Sequence, residues 1–224
     1  DIDGAFVGEY EHTLRDLVRA GAQPSEPLPG LIWRTDKEIW NGGRKESTDQ
    51  LDSMPWPARH LFPMEHYHDL PGGIPSPSVQ MWGSRGCSFT CNFCAWPQIL
   101  YADNRYRVRT PEAIADEMQG MLEQGYQSIY FDDDTFNLGK RRTAEIASTF
   151  SQRGIDVPWA FMGRADTCAP EQFEDLARTG LSAVKFGVES ADSGRLKEIG
   201  KNLQVQQVRD AVRMVKSQGI KVHL

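Results

Sequence analysis

The sequence predicts an α/β fold organised around a parallel β-sheet, and two patterns lead to that prediction. From residue 78 onward, short apolar segments typical of buried strands alternate with segments of helical periodicity. Polar and charged residues follow several of these strand segments at the point where each strand ends. Strands joined by helices run parallel, so we expect either an open doubly wound sheet or part of a (βα) barrel.

The predicted core consists of five strands separated by four helices. The strands cover residues 79–83, 128–132, 159–163, 183–188 and 220–224. The helices begin near Thr110, Lys140, Pro170 and Gln204. In the last helix, valines recur at the steps of three and four that one buried helical face requires.

Residues 1–77 follow a different pattern. A strand at residues 3–8 leads into a helix in which Leu14, Leu17 and Val18 recur at helical spacing, and Gly21 ends that helix. We predict a strand–helix unit whose partners lie outside this region. Prolines and glycines accumulate over residues 23–77, so we expect a connector there, with a β-hairpin at residues 31–40.

Composition limits the class of protein. The 224 residues are 39% hydrophobic and 25% charged, which is typical of a globular chain with one sizeable core. The net charge is −6 and no basic run exceeds three residues, so we expect a small-molecule substrate and no nucleic acid. No apolar stretch approaches the roughly 18 residues of a membrane span, and no secretory signal opens the chain, so we predict a cytoplasmic protein. The missing initial methionine and the apolar run at the end favour an internal piece of a longer protein.

Three of the four cysteines, Cys87, Cys91 and Cys94, lie within eight residues. Thiolates are soft ligands that select zinc or iron–sulfur clusters, and three of them can hold three irons of a cubane while the fourth iron stays open. An open iron can bind and reduce a further molecule. The alternative is a structural zinc site, although such sites usually contain two close cysteine pairs. Its remaining ligand would be Cys168, His66 or His68.

Four consecutive strand ends are followed by polar groups. The cysteines follow the first strand, Asp132-Asp133-Asp134 the second, Arg164 the third, and Glu189 with Ser190 the fourth. Because ligands of α/β sheets and barrels bind at the carboxyl ends of the strands, we predict one site at this rim. Each group also has an ordinary explanation, since acidic turns are common and Arg164 could form a simple salt bridge.

The loop Cys87-Ser-Phe-Thr-Cys91-Asn-Phe93-Cys94, placed after a first strand and with an aromatic residue before its last cysteine, resembles the radical S-adenosylmethionine (SAM) superfamily. The resemblance implies that the three cysteines bind a [4Fe–4S] cluster and that SAM chelates the open iron. It also implies an external electron donor, whose electron releases a 5′-deoxyadenosyl radical from SAM. The implied fold is a partial, TIM-like (βα)6 barrel of which this chain supplies strands 1 to 5.

The same resemblance implies residues that contact SAM. Asp132-Asp133-Asp134 stands where many members have Gly-Gly-Glu, so Asp133 and Asp134 are candidates for the methionyl amine. The three aspartates do not show which of them makes the contact.

Other candidate contacts come from the next strand ends and from the cysteine loop. Gly187-Val188-Glu189-Ser190 resembles the segment that meets the SAM ribose or carboxylate, which implies roles for Glu189 and Ser190. Arg164 would hold the carboxylate by a forked pair of hydrogen bonds. Phe93 would pack beside the cluster and offer its backbone to adenine.

The first 77 residues narrow the resemblance. Gly8-Glu9-Tyr10-Glu11 and the proline-rich segment 51–57 resemble the end of the cobalamin-binding domain and the linker of cobalamin-dependent radical SAM proteins. We therefore predict that residues 1–24 end a Rossmann-like cobalamin-binding domain, 25–77 form a linker with the hairpin, and 78–224 form a truncated radical SAM core. An Asp-x-His-x-x-Gly segment that would ligate cobalt is missing from the chain, so cobalamin is implied by the neighbouring segments alone.

Three functional hypotheses follow. The first is a cobalamin-dependent radical SAM enzyme, similar to class B methyltransferases, that methylates an unactivated carbon of a small molecule or lipid precursor. The second is a radical SAM cyclase or rearrangement enzyme without methyl transfer. The third is a non-catalytic binding module stabilised by zinc or by a cluster. The sequence identifies neither the substrate nor a catalytic residue.

Overall fold

A computed structural model of the chain describes residues 2–101 and 103–224. Residue 1, where the predicted cobalamin-domain remnant begins, lies outside the described residues. The strands are β1 (Gly4–Phe6), β2 (Leu31–Arg34), β3 (Ile39–Asn41), β4 (Ser78–Met81), β5 (Ser84–Arg85), β6 (Arg107–Val108), β7 (Ser128–Phe131), β8 (Trp159–Gly163), β9 (Leu181–Phe186) and β10 (Lys221–His223). The helices are α1 (Glu11–Arg19), α2 (Pro111–Glu123), α3 (Lys140–Gln152), α4 (Pro170–Ala177), α5 (Ser193–Glu198) and α6 (Val205–Ser217).

The central sheet contains the five predicted strands, and all of them run parallel. Their order across the sheet is β4-β7-β8-β9-β10, so each strand of this sheet lies beside the next strand of the same sheet in chain order. A doubly wound sheet reverses its order at a switch point, and these five strands show no such reversal. The predicted α/β fold with a parallel sheet is confirmed.

The helices that the sequence predicts are α1, α2, α3, α4 and α6. Local capping explains where two of them begin. The Thr110 hydroxyl accepts a hydrogen bond from the Ala113 amide at 3.2 Å, and proline occupies the first turn of α2. Gln204 and Gln207 form a capping box at the start of α6. The short helix α5 was not predicted, and the Asp192 carboxylate caps it. None of the helices in the described part of the chain is long and apolar enough to cross a bilayer.

Aromatic side chains fill the space between the sheet and its helices. The rings of Phe131 and Phe136 have centroids 4.9 Å apart, and Phe136 stacks on Phe161 at the same distance. Trp159 meets Phe131 edge to face at 5.7 Å. All four side chains are fully buried. Aromatic residues of this size dominate the energetics of a core, and here they fix helices and sheet together.

The opposite face of the sheet is covered by the connector. Tyr130, Ala160 and Ala183 on this face form a small cluster with Ile74, and Leu70 packs against it. The connector itself is built from short 3₁₀ turns, at Leu51–Ser53, Arg59–Leu61, Met64–His66 and Pro71–Gly73. Residues 70–74 of the connector therefore cover part of this face of the sheet.

The front of the chain forms a three-stranded antiparallel sheet. The predicted hairpin is confirmed as β2 and β3, with Trp33 opposite Trp40. The prediction that the opening strand has no partner nearby is wrong, because β1 pairs antiparallel with β2. Gly4 allows this pairing, since a Cβ there would lie 2.7 Å from the Trp33 ring. The pairing of β1 differs from the parallel pairing of a Rossmann-like sheet, and the domain boundary at residue 24 stays a prediction.

Two arginines and one glutamate form a buried network that joins the connector to α2. Glu117 Oε1 accepts from Arg59 Nη1 at 2.8 Å, and Glu117 Oε2 accepts from Arg109 Nη1 at 2.5 Å. Arg59 also donates to the Gln80 carbonyl at 2.7 Å, and Arg109 to the Trp82 carbonyl at 3.0 Å. The three charged side chains are less than a tenth exposed. One carboxylate therefore bridges both guanidinium groups.

We expect Glu117→Gln to destabilise the fold, because it removes the carboxylate that both buried guanidinium groups contact and leaves only Asp52, 4.0 Å from Arg109, as an acidic neighbour. Breaking a buried ion pair of this kind costs about 3–5 kcal/mol of the free energy of unfolding. Urea denaturation measures the loss. Glu123→Gln, on the exposed face of the same helix, is the control and should change the free energy by less than about 0.5 kcal/mol. Equal effects of the two substitutions would contradict the proposed role of Glu117.

Candidate active site

The three cysteines lie on a loop that is closed at its base by a two-stranded ladder. β5 and β6 pair antiparallel, with Arg85 opposite Arg107, so the loop of residues 86–106 leaves and returns at one place. Gly86 begins the loop with a φ of +87°, and a Cβ there would lie 2.0 Å from the Arg105 carbonyl oxygen. Only glycine fits both the backbone conformation and the space.

The cysteine side chains face the carboxyl ends of β7 and β8. Cys91 is buried, and Cys87 and Cys94 are half-buried. Cys87 Sγ lies 3.4 Å from the Thr135 hydroxyl, and Cys91 Sγ lies 3.7 Å from Arg164 Nη1. Burial raises the pKa of the Cys94 thiol, and the charges of Asp134 and of the other two cysteines raise it further. The environment of Cys94 therefore favours the neutral thiol over the thiolate.

The side chains considered as zinc ligands lie in different surroundings. Within the described ranges, no three His, Cys, Asp or Glu side chains converge closely enough to hold one metal ion. Cys168 instead donates a hydrogen bond to the Arg164 carbonyl at 3.3 Å, and His66 and His68 are exposed. The zinc ligand set considered from the sequence is thus not assembled. In a cubane each thiolate binds a different iron, so the sulfurs need not meet at one point.

Asp133 is an internal structural group. Its side chain is 1% exposed and accepts hydrogen bonds from the Gly83 amide, at 2.8 Å, and from the Ser84 hydroxyl. Burial raises the pKa of Asp133 to about 6, although the charge of Arg142 opposes the shift. Both carboxylate oxygens are engaged, so the geometry does not support the predicted contact of Asp133 with an amine.

Asp134 lies beside a cavity. It accepts a hydrogen bond from the Gly86 amide at 2.7 Å and is half-buried, and burial raises its pKa. The cavity measures about 210 Å³, and we call it the Asp134 cavity. Its walls include Glu9, Trp82, Arg85, Trp96, Tyr101 and Asp132. Of the two predicted amine contacts, only Asp134 lines this space.

The front segment contributes one wall of the Asp134 cavity through ion pairs. Arg85 contacts Glu11 at 2.6 Å and Glu9 at 3.2 Å, and Arg107 contacts Glu9 at 2.8 Å. Burial raises the pKa of Glu9, but Arg107 and Arg85 outweigh burial and the net shift is downward. The sequence analysis missed Arg85 and Arg107, because their partners lie more than 70 residues earlier in the chain.

Phe93, Glu189 and Ser190 meet at a second cavity of about 380 Å³, the Glu189 cavity, which Ile199 also lines. Glu189 has a φ of +70° and forms an ion pair with Lys201 Nζ at 2.9 Å. Lys201 Nζ lies 5.9 Å from the centroid of the Phe93 ring. The predicted residues are therefore brought together, and Lys201 joins them. No pattern in the sequence marked this lysine.

Arg164 is buried under the cysteine loop. Its forked hydrogen bonds go to Asp166, from Nε at 2.9 Å and from Nη2 at 2.7 Å. The carboxylate that occupies the fork in this structure therefore belongs to the protein. A contact between Arg164 and the SAM carboxylate stays a prediction.

The predicted single site at the rim is divided in two. Asp134 lines one cavity, whereas Phe93, Glu189 and Ser190 line the other. The cysteine loop contributes Trp96 and Tyr101 to the first cavity and Phe93 to the second. One loop therefore supplies walls to both cavities.

We expect Gly86→Ala to displace the cysteine loop, because the new Cβ would clash with the Arg105 carbonyl oxygen. The variant should lose several kcal/mol of stability, on the order of 2–3 when strain and lost pairing are combined. The buried Cys91 should also react faster with a thiol reagent. Gly125→Ala is the matched control, since Gly125 has a φ of +95° but nothing within 4 Å of a Cβ. Equal stability and equal thiol reactivity in the two variants would contradict this account.

Asp133 predicts a pH dependence of stability. Its pKa is raised from the ordinary 3.8 to about 6 in the folded chain, so the folded state keeps this proton to higher pH than the unfolded state. The contribution of Asp133 to the free energy of unfolding therefore falls as the pH rises from 3.8 toward 6. Asn cannot titrate, so the stability of the natural chain minus that of Asp133→Asn should decrease across this window and then level off. Denaturant unfolding at several pH values measures it, and a constant difference would refute it.

Comparisons with known proteins identify the family of this chain. The family model described as the Radical SAM superfamily matches residues 83–224. An uncharacterized methyltransferase of Pyrococcus horikoshii is 32% identical over 222 residues, which are 98% of this chain and 47% of that protein. Cytidylyl-2-hydroxyethylphosphonate methyltransferase of Streptomyces wedmorensis is 29% identical over 100% of this chain and 47% of its own length. The chain thus spans about half the length of these curated relatives.

A solved structure shares the fold. The cobalamin-dependent S-adenosylmethionine radical enzyme OxsB, with aqua-cobalamin and S-adenosylmethionine bound, superimposes with a TM-score of 0.77 at 22% identity. The superposition covers 96% of this chain and 32% of OxsB. The match to the family model includes all three loop cysteines and more than half of the chain. This protein belongs to the radical SAM superfamily, whose members bind a [4Fe–4S] cluster and SAM.

Proposed function

We propose that this chain forms the core of a radical SAM methyltransferase that uses a [4Fe–4S] cluster, SAM and cobalamin to methylate an unactivated carbon of a small molecule or lipid precursor. The observation that best supports the proposal is the closed loop of three cysteines between two cavities. The relation to two methyltransferases supports methyl transfer as the outcome. Cobalamin is proposed because OxsB, which shares the fold, binds it.

Cys87, Cys91 and Cys94 would hold the cluster. When bound and reduced by an external donor, the cluster supplies the electron that cleaves SAM to a 5′-deoxyadenosyl radical. Thr135 contacts the Cys87 sulfur and Arg164 contacts the Cys91 sulfur, so both would help to position the cluster. Gly86 allows the two ends of the loop to approach each other closely.

The two cavities divide the binding of SAM. Asp134, with a raised pKa and a place on the cavity wall, would be stabilised as a carboxylate by the methionyl ammonium group. Glu189 and Ser190 would orient the ribose or the carboxylate in the other cavity. The ring of Phe93 is 51% exposed there, so it offers an apolar surface for the adenosyl part.

The order of the strands supports a more specific assignment of the fold and of the domains. Because β4, β7, β8, β9 and β10 follow one another in chain order, we assign them to the first five strands of a (βα)6 barrel. Residues 1–24 would end a cobalamin-binding domain, with 25–77 as the linker and 78–224 as the radical SAM core. Glu9 and Glu11 reach Arg85 at the Asp134 cavity, so the front segment would couple the cobalamin side to the site.

We expect Cys91→Ala to abolish cluster assembly, because two thiolates do not hold three irons of a cubane. After anaerobic reconstitution, the variant should lose its bound iron and sulfide and its visible absorption, while Cys168→Ala, the matched thiol control, should retain them. Unchanged iron content in Cys91→Ala would contradict the assignment of the ligands.

The same preparation tests the reaction. The natural protein should cleave SAM to 5′-deoxyadenosine and transfer the methyl group of isotopically labelled SAM, both measured by mass spectrometry. A protein that binds the cluster but never forms 5′-deoxyadenosine would contradict the proposed enzyme. SAM cleavage with bound cobalamin but without methylated product would point to a cyclase or rearrangement enzyme instead.

A further inference from the structure

Arg164 joins three parts of the chain directly beneath the cysteine loop. Besides its fork to Asp166, it donates from Nη2 to the Lys201 carbonyl at 3.0 Å. Its Nη1 lies 3.7 Å from Cys91 Sγ, and its Cζ lies 3.6 Å from the centroid of the Phe89 ring. The residue is 5% exposed. The guanidinium group of Arg164 therefore contacts Phe89 and Cys91 of the loop and is held by hydrogen bonds to Asp166 and to the Lys201 carbonyl.

The backbone and the side chain of Arg164 are held by residues outside the cysteine loop. Its amide donates to Asn137 Oδ1 at 3.0 Å, and its carbonyl accepts from Asn137 Nδ2 at 2.9 Å. Asp166 orients the plane of the guanidinium group by two hydrogen bonds and supplies its countercharge. A donor held in this way points at Cys91 Sγ without further loss of side-chain freedom.

The loop is tied to the same region by a second set of contacts. The Asn92 amide donates to the Ile199 carbonyl at 3.0 Å, and the Asn92 side chain donates to the Glu198 carbonyl at 3.0 Å. Arg164 reaches the neighbouring Lys201 carbonyl. The loop is therefore held on both sides of Cys91, by the contact of Arg164 with Phe89 and by the hydrogen bonds of Asn92.

We infer that Arg164 is a positioning residue for the cluster: it clamps Phe89 and Cys91 and donates an N–H···S hydrogen bond that raises the reduction potential of the cluster. The inference rests on the proposed function, because it requires Cys91 to bind a cluster. Reduction adds one negative charge to the cluster, and a nearby cation and a hydrogen bond to sulfur both stabilise that charge. This role differs from binding the SAM carboxylate, since the forked face of Arg164 is turned to Asp166.

The test compares three variants of the complete gene product after anaerobic reconstitution. Arg164→Met removes the charge and the donor, and Arg164→Lys keeps the charge but cannot contact Asp166, Phe89 and Cys91 together. Arg178→Met is the control, because Arg178 is 71% exposed, pairs with Asp175 on the surface and changes the charge equally. Iron content and the midpoint potential, from a redox titration followed by electron paramagnetic resonance, are measured without SAM, cobalamin or substrate.

We expect Arg164→Met to bind less iron and to make reduction of the remaining clusters about tenfold less favourable, a shift of ~59 mV to more negative potential for one electron. Arg164→Lys should shift in the same direction by less, and Arg178→Met should match the natural protein. If Arg164→Met fails to fold by circular dichroism, the smaller shift of Arg164→Lys tests the inference.

Natural iron content and potential in either folded Arg164 variant would overturn the inference while leaving the proposed function intact. A natural protein that binds no cluster would overturn both.

Discussion

The site depends on a run of contacts between the end of β7 and the base of the cysteine loop. Three consecutive residues after the strand contact successive positions of the loop base. Asp133 binds the Gly83 amide at 2.8 Å, Asp134 binds the Gly86 amide at 2.7 Å, and Thr135 lies 3.4 Å from Cys87 Sγ. Because β7 is fully buried in the central sheet, these contacts attach the base of the loop to a rigid part of the structure. A loop held in this way keeps its thiols in place before a cluster binds.

Buried charges extend this support to the rest of the chain. The Gly83 carbonyl accepts from the Arg142 side chain at 2.9 Å and from the Arg109 amide at 2.9 Å. Arg109 in turn shares Glu117 with the connector, and Arg107 and Arg85 bind the front segment through Glu9. Buried ion pairs add little net stability, because desolvation offsets most of their attraction. Their effect here is to define which segments meet at the site.

The sequence predicted those features that depend on local patterns. The five strands follow from runs such as Ser128–Phe131, in which every residue is buried, and the helix starts follow from caps such as Thr110. The cysteine loop follows from its spacing. The antiparallel partner of β1 was not predictable, because it depends on a tertiary contact between Gly4 and Trp33. The sequence predicted which residues belong to the candidate site better than how they are arranged. Adjacent aspartates do not show which of them is buried, and no local signal marks Lys201.

The charges of the two cavities indicate how a ligand with one cationic end would lie across the cysteines. In the Glu189 cavity, Glu189 pairs with Lys201 at 2.9 Å and the lining also includes Arg195, so this cavity offers no excess of negative charge. In the Asp134 cavity, Arg85 is shared by Glu9 and Glu11, which leaves Asp132 and Asp134 without an equal countercharge on the walls. A positive group therefore gains more from the Asp134 cavity, whereas an uncharged ring gains more beside the exposed Phe93. Both cavities take walls from the cysteine loop, so a ligand oriented in this way would contact that loop near both ends of the ligand.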